Sequence, residues 1–577
     1  MIYYEQKDSF RKGWKAMAVT PENLTNQKRT VRELLQGSVT AHPDKPAILA
    51  KNGDGYEAYT YRRLGDDVEA LSAVFAARGL CGKKMILVGD NGYAWALGFL
   101  AALSVGVIAV PVSRARTAEL AAVCALTSPS AILYADALAP AVDTVSAAME
   151  RLPFSALDAL VKEGRCLVES AQIDPCPALD ENAPAAILMA PTSGSSLRAV
   201  TLSNANLTFT ASRLPSAPGL TADDRFLSIL PLHHSYALTL DLLVPISLGA
   251  TVAFGEGLRA IIKNMNEVHP TVLAASPLIA EALYRKVQRI LSGYGKYTDV
   301  KVSVTNFLPG VLAAPVKKAL FDKLHRAFGG SLRTVICSGA PVGAHILRGL
   351  SDVGFAALEV YGLCESASIV TANRRGAVRY GSVGKPLADC IVDIYNKGED
   401  GIGEIRLRTG GIMLGYLGND AATAEALRGG WLYTGDLGYL DEKGYLHIVG
   451  RKKNVMIGRT GKSIFPEEIE ALLLKEPFVR ETVVVGFANE DRHDFDLVAV
   501  VYPDPEQLWE VYGEDYTLTN AEFEIAAAVE RVNAALPEHK RLDLFLLRGT
   551  EFEKSGARKI RRTGVAASVE AEYRQKI

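Results

Sequence analysis

The stretch Pro191-Thr192-Ser193-Gly194-Ser195-Ser196-Leu197-Arg198-Ala199-Val200 is small and polar, and it follows the apolar run AAILMA at 185–190. Backbone N–H groups and hydroxyls in such a loop can face an anion, as phosphate-binding loops do. The stretch holds one glycine and its nearby cation is an arginine, and a plain surface turn is written with the same residue types. Three other clusters carry groups suited to charge chemistry: Tyr433-Thr434-Gly435-Asp436, the run Arg451-Lys452-Lys453-Asn454, and the cations of KSGARKIRR at 554–562. Taken singly, these read equally well as a turn-forming Gly-Asp, a solvated basic patch and an exposed charged segment.

The elements that must position these groups alternate strand and helix. KMILVGDN (84–91) is a short apolar run ending in a turn, followed by a helical pattern and then VIAVPV. TVAF (251–254), TVLAAS (271–276), RTVICSG (333–339) and ALEVYG (357–362) are buried-strand patterns, each separated from the next by helix. That is the rhythm of βαβ units and a mainly parallel sheet. Residues 94–112, AWALGFLAALSVGVIAVPV, carry no charge over a membrane-spanning length. Ser104-Val105-Gly106 interrupts the run, and the half beyond it is β-branched, so the expectation is a buried helix and a buried strand. Between 381 and 449 short strands with Gly-rich turns predict β-hairpins. A compact α/β stretch follows the basic run: a helix from Pro466, strands at 482–488 and 496–502, a helix at 521–535 and a strand at 543–548. The acidic WEVYGEDY (509–516) reads as a surface loop. The expected fold class is α/β. It comprises an N-terminal domain over 1–450, with mainly parallel sheets flanked by helices and a β-rich subdomain at about 380–450, and a small α+β domain over 451–577, the boundary falling at 450–454.

Bulk properties narrow the function. With 577 residues, 49% of them apolar, the chain can bury large cores. A formal net charge of −2 argues against nucleic acid as a main partner. Seven scattered cysteines (81, 124, 166, 176, 337, 364, 390), with no Cys-x-x-Cys, read as reduced thiols in a cytoplasmic protein. The N-terminus shows no signal-peptide pattern.

Several motifs, in order, resemble the AMP-forming adenylating enzymes: acyl-CoA synthetases, nonribosomal peptide adenylation domains and luciferases. The resemblance spans about residues 30 to 565 and is strongest to bacterial long-chain fatty-acid–CoA ligases. VYGLCESAS (360–368) resembles the family's Y-G-x-T-E; GWLYTGDLGYLDEKGYLHIVGRKKNVMI (430–457) its T-G-D followed by G-R-x-K. GKSIFPEEIE (461–470), FEKSGARKIRR (552–562), LPLHHSYAL (230–238) and SGAP (338–341) are similar to further family segments.

The resemblance implies two half-reactions. A carboxylate attacks the α-phosphate of ATP, giving an acyl-adenylate and pyrophosphate; a thiol then displaces AMP. ATP, Mg²⁺ and coenzyme A are the implied reactants, with a carboxylic acid, of fatty type, as substrate. An acyl carrier protein is an alternative thiol donor, and weak contact with a membrane surface is compatible with a fatty substrate. Asp436 would hold the ribose hydroxyls, since a carboxylate accepts two hydrogen bonds, and Arg451 would add a cationic contact. Glu365 would ligate Mg²⁺. Tyr361 with Gly362 would offer adenine a flat face, and Gly339-Ala340-Pro341 would close the other side. Lys559 matches the catalytic lysine that stabilises transition-state charge. Lys453 matches the hinge, which the resemblance places at 451–454 and which makes the C-terminal domain mobile; Gly461 and Lys462 match the segment brought to the thioester site, and His234 the gate of the carboxylate pocket. Thr192, Ser193, Gly194, Ser195, Ser196 and Arg198 match the triphosphate loop.

This chain departs from the family in places. The loop is two positions shorter and has lost a glycine. Cys364 stands where the family has Thr before the metal-binding Glu, and Arg558 where it has a glycine before the lysine. A shortened loop with fewer amide donors leaves a degenerate acyl- or nucleotide-binding homologue as a further alternative, and Arg558 as a cation that compensates at the phosphates.

Overall fold

The computed structural model describes residues 29–145, 149–170, 178–190, 198–293, 310–457, 463–489, 494–554 and 560–576. Among them, two large mixed sheets hold the N-terminal two-thirds. One has nine strands, with Pro46–Asn52, Thr251–Phe254, Arg225–Ser228, Val272–Ala275, Thr334–Cys337 and Ala356–Leu363 as its parallel centre. Antiparallel strands close both edges. The other has seven strands: Glu150–Pro153, Ala131–Tyr134, Lys84–Val88, Ile108–Val112 and Pro184–Ala190 run parallel, and Arg198–Ser203 and Gly415–Tyr416 turn back against them. The central strands are buried on both faces, which is why they read as continuous apolar runs and not as alternating patterns.

The charge-free segment at 94–112 is the helix Tyr93–Ser104 and the strand Ile108–Val112, both almost wholly buried between the sheets. No helix among the described residues is long and apolar enough to cross a membrane.

Beyond residue 380 the backbone becomes antiparallel. Ile391–Tyr395, Gly403–Arg408, Trp431–Leu440, Leu427–Arg428 and Leu446–Arg451 form a five-stranded sheet. Past residue 456 a three-stranded sheet, Val479–Asn489, Asp494–Pro503 and Leu544–Leu547, packs against the helices Pro466–Leu473, Leu518–Ala535 and Val565–Lys576. Its buried apolar clusters draw only on residues from 464 onward, whereas the preceding cores end at Leu446. The architecture is thus α/β with mixed sheets, a large N-terminal domain and a smaller C-terminal one.

One local expectation fails. The acidic WEVYGEDY segment is not a loop: a helix runs Pro505–Tyr512 and a 3₁₀ turn Gly513–Asp515. Asp504 caps the helix by accepting hydrogen bonds from the Glu506 and Gln507 amides, Pro505 occupies its first turn, and Leu508 is fully buried. A cap, an N-terminal proline and one anchoring apolar residue outweigh the acidity of the exposed face.

Candidate active site

Asp436 is placed by a kink in its strand. The pairing of Gly403–Arg408 with Trp431–Leu440 slips between Glu404 and Arg406, opposite Thr434-Gly435-Asp436, and Gly435 has a φ of +69°. A bulge of this kind re-aims a side chain. Thr434 locks it, its hydroxyl donating to the Ile405 carbonyl at 2.7 Å and accepting from the Asp436 amide at 3.1 Å. The Asp436 carboxylate, only 4% exposed, is then held from two sides. Tyr361 Oη donates to Oδ2 at 2.8 Å. Arg451, its cross-strand partner in the Trp431–Leu440/Leu446–Arg451 hairpin, brings Nε to 3.0 Å from Oδ1. Each carboxylate oxygen keeps a lone pair beyond these bonds, which is the acceptor capacity a vicinal diol needs.

Tyr361 sits on the strand Ala356–Leu363, and burial, then the neighbouring Asp436, hold its hydroxyl protonated. The residue is 7% exposed, so little of its ring remains open to a base. Gly362 cannot be replaced: a Cβ there would lie 1.5 Å from the Ser368 carbonyl oxygen. That close approach belongs to a tight reversal at Cys364–Ser366, after which Ala367 and Ser368 take φ of +48° and +91°. Positive φ at two consecutive non-glycine residues is strained backbone, and it presents Glu365. Glu365 Oε1 accepts from Tyr416 Oη at 2.8 Å, and its carbonyl accepts from the Met413 amide at 2.9 Å.

Arg198 opens the strand Arg198–Ser203. Its guanidinium lies 4.9 Å from the centre of the Tyr416 ring, so the exit of the predicted phosphate loop and the predicted metal carboxylate meet on one tyrosine. Lys453 joins them electrostatically. Desolvation pushes its ammonium below the ordinary lysine range, Arg451 and Arg198 push the same way, and Asp436 and Glu467 oppose. Cys364 Sγ lies 3.2 Å from Ser235 Oγ, tying the Glu365 turn to the segment that carries His234. His234 precedes the short helix Ser235–Leu238, its ring tilted against His233 at 4.2 Å. Gly339, with a φ of +97°, Ala340 and Pro341 form the turn leaving the strand Thr334–Cys337. These groups gather beyond the carboxyl ends of parallel strands, where open α/β sheets bind ligands. Thr192, Ser193, Gly194, Ser195, Ser196, Gly461, Lys462 and Lys559, and with them Arg558, lie outside the described residues.

Three contributors carry no motif. Tyr416 is the first. Glu359 is the second: 5% exposed, it accepts from the Val342 amide at 3.2 Å and so closes the Gly339–Pro341 turn from below, and burial pushes its carboxyl up to about 8. Asn91 is the third. It accepts from the Leu232 amide at 3.0 Å and donates to the Leu230 carbonyl at 2.7 Å and Ser228 Oγ at 3.3 Å, clipping the His234 segment to the seven-stranded sheet.

Among the described residues no three His, Cys, Asp or Glu side chains gather to hold a resident metal. Glu365 offers a single hard oxygen ligand, which suits Mg²⁺ arriving on a nucleotide with its waters and phosphate oxygens.

Comparison with known proteins bears on the family and the fold. The chain is 28% identical over 601 residues to the long-chain-fatty-acid–CoA ligase FadD15 of Mycobacterium bovis, covering 93% of this chain and 98% of that protein. Its fold matches ATP-bound MatB from Rhodopseudomonas palustris at a TM-score of 0.74, with 20% identity and coverage of 94% and 100%. It also matches the O-succinylbenzoate coenzyme A synthetase MenE of Bacillus subtilis, in complex with ATP and magnesium ion, at 0.70, with 20% identity and coverage of 92% and 98%. Residues 35–417 fit the family model as well, and the chain belongs to the AMP-binding enzyme family.

Proposed function

We propose that this chain is an AMP-forming ligase that activates a carboxylic acid, of fatty type, with Mg·ATP and passes the acyl group to coenzyme A. The observation that carries the proposal is the Asp436 carboxylate, fixed between Tyr361 and Arg451 at the mouth of the strand ends. A buried, doubly anchored carboxylate is an acceptor set for a ribose diol. Glu365 and Arg198 lie on one tyrosine beside it, a carboxylate for the ion and a cation for the phosphates. The activity that names the FadD15 relative, a long-chain-fatty-acid–CoA ligase, supports the acid class and the thiol.

In this reading adenine lies between the Tyr361-Gly362 strand end and the Gly339-Ala340-Pro341 turn, with Cys364 at the edge of the metal site. His234 gates the acid. Thr192, Ser193, Gly194, Ser195 and Ser196 face the triphosphate, and Lys559 stabilises the charge that develops as the carboxylate attacks. Magnesium, bound by Glu365 and the nucleotide, neutralises phosphate charge. The junction between the domains is 451–454, dividing 1–450 from 451–577. Lys453 is the hinge, and Gly461 and Lys462 approach the thioester site after rotation. The separate cores on either side of residues 447–463 support that division. The scattered cysteines, with no Cys-x-x-Cys, support a cytoplasmic location.

The test is AMP release from a panel of straight-chain and aromatic acids with ATP and Mg²⁺, run with coenzyme A and separately with a phosphopantetheinylated carrier protein. Acid-dependent AMP release with coenzyme A is expected. Release only with the carrier protein reassigns the thiol. Absence of ATP–pyrophosphate exchange with every acid overturns the enzymatic reading in favour of a binding protein.

A further inference from the structure

Tyr416 lies 51 positions from Glu365 in sequence and belongs to a two-residue strand that no catalytic pattern marks. Yet the segment 413–417 is bonded to the Glu365 turn and to the strand that Arg198 opens. The Met413 amide donates to the Glu365 carbonyl at 2.9 Å, and the Leu414 and Leu417 amides donate to the Thr201 and Ala199 carbonyls, both at 2.9 Å. Gly415 and Tyr416 pair with Thr201 and Val200. Thr423 accepts from the Tyr416 amide at 2.9 Å, which fixes the tyrosine backbone from the far side. The ring is left 7% exposed, its face under Arg198 and its hydroxyl on Glu365 Oε1.

A flexible glutamate beside a strained turn would sample several rotamers. One donated hydrogen bond restricts that freedom and settles which oxygen the tyrosine engages, Oε1. The same ring orients the guanidinium at the start of the strand leaving the phosphate loop, so carboxylate and cation are set relative to each other through one rigid side chain. Partners that orient a metal ligand typically alter metal affinity by 10–100-fold when removed.

We propose that Tyr416 is the positioning residue of the nucleotide–metal site: its hydroxyl orients Glu365 toward the ion carried by ATP, and its ring holds Arg198 toward the phosphates. The proposal rests on the function given above.

The experiment titrates Mn²⁺, read by electron paramagnetic resonance, into the full-length protein with α,β-methylene-ATP. Wild type, Tyr416→Phe, Glu365→Gln and the double variant are compared. Tyr416→Phe keeps the ring under Arg198 and removes the hydroxyl, with its bonds to Glu365 and to Arg198. It is expected to weaken nucleotide-dependent Mn²⁺ binding about tenfold and to raise the Mg²⁺ concentration for half-maximal pyrophosphate exchange more than it lowers the maximal rate. Adding Tyr416→Phe to Glu365→Gln is expected to weaken Mn²⁺ binding no further, because the tyrosine acts through the glutamate. Thermal unfolding of each variant separates loss of the site from loss of the fold. Wild-type Mn²⁺ binding with nucleotide, unchanged in Tyr416→Phe, overturns the proposal and leaves the enzymatic reading standing. Additive losses in the double variant overturn it too. Failure of the wild type to bind Mn²⁺ with nucleotide overturns the underlying function.

Discussion

A single carboxylate with two partners makes the sharpest residue-level prediction. Asp436→Asn keeps the shape and halves the acceptor strength, so the Arg451 contact and the diol contact weaken together. Arg451 is 44% exposed and can return to water, which limits the stability loss to about 1 kcal/mol. The catalytic loss is larger: kcat/KM for ATP should fall about 100-fold, on the order of 3 kcal/mol for a lost charge-assisted pair. A steady-state ATP titration checks it. Glu359 predicts a pH dependence. Its folded carboxyl titrates near 8 against an ordinary 4.5, so between those values the folded protein holds a proton that the unfolded chain has released. The contribution of Glu359 to stability is complete below the lower value and disappears as pH rises through the upper one, at up to about 1.4 kcal/mol per pH unit. Glu359→Gln should therefore unfold at nearly the same denaturant concentration at pH 6 and pH 8, while the wild type weakens across that interval. Asp436 was legible because Gly-Asp marks a turn and the motif around it is dense. Glu359 was not, because ALEVYG reads as a buried strand, and one charge inside an apolar run gives no hint of which amide it will meet.

At the scale of elements, strand ends are held in register by side chains that reach across sheets. Asn91 follows the strand Lys84–Val88 of one sheet and bonds to Ser228, Leu230 and Leu232 at the end of a strand in the other. Asn91→Ala leaves the Leu232 amide and Leu230 carbonyl without that partner, costing about 1–3 kcal/mol. Because those bonds fix the segment ending in His234, KM for the carboxylic acid should rise several-fold while KM for ATP changes little. A matched pair of titrations reads the difference, and equal rises in both would show that Asn91 serves stability alone. The strands themselves could be read from the sequence, since β-branched apolar runs bounded by glycine and polar turns have few alternatives. The clip could not. GDN looks like any strand-ending turn, and its partners lie more than 130 residues away. The same distance hid Tyr416, whose GIMLGYLGN context is ordinary loop text until the strand Arg198–Ser203 lies beside it.

At the scale of the whole molecule, the question is where a rotation between domains can be absorbed. Lys452 Nζ bonds to Glu404 Oε2 at 2.8 Å, anchoring that residue to the five-stranded sheet of the large domain. Two positions later Asn454 donates to Glu467, at the head of the helix Pro466–Leu473 in the small domain. Lys453 is the one residue between anchors on opposite sides, so a dihedral change there moves one domain against the other while both anchors stay intact. Proline at this position fixes φ near −65° and removes the amide donor. If the two half-reactions use different domain orientations, Lys453→Pro should hold the enzyme in the orientation that suits this backbone. ATP–pyrophosphate exchange should then stay within about threefold of wild type, a few tenths of a kcal/mol in barrier, while thioester formation from supplied acyl-adenylate falls more than about 100-fold, some 3 kcal/mol. Equal loss in both half-reactions would mean that Lys453 acts through its charge, near Arg198, Arg451 and Asp436, and Lys453→Arg would then restore both. Selective loss of the thiol step, unrescued by arginine at 453, places the motion at this backbone position.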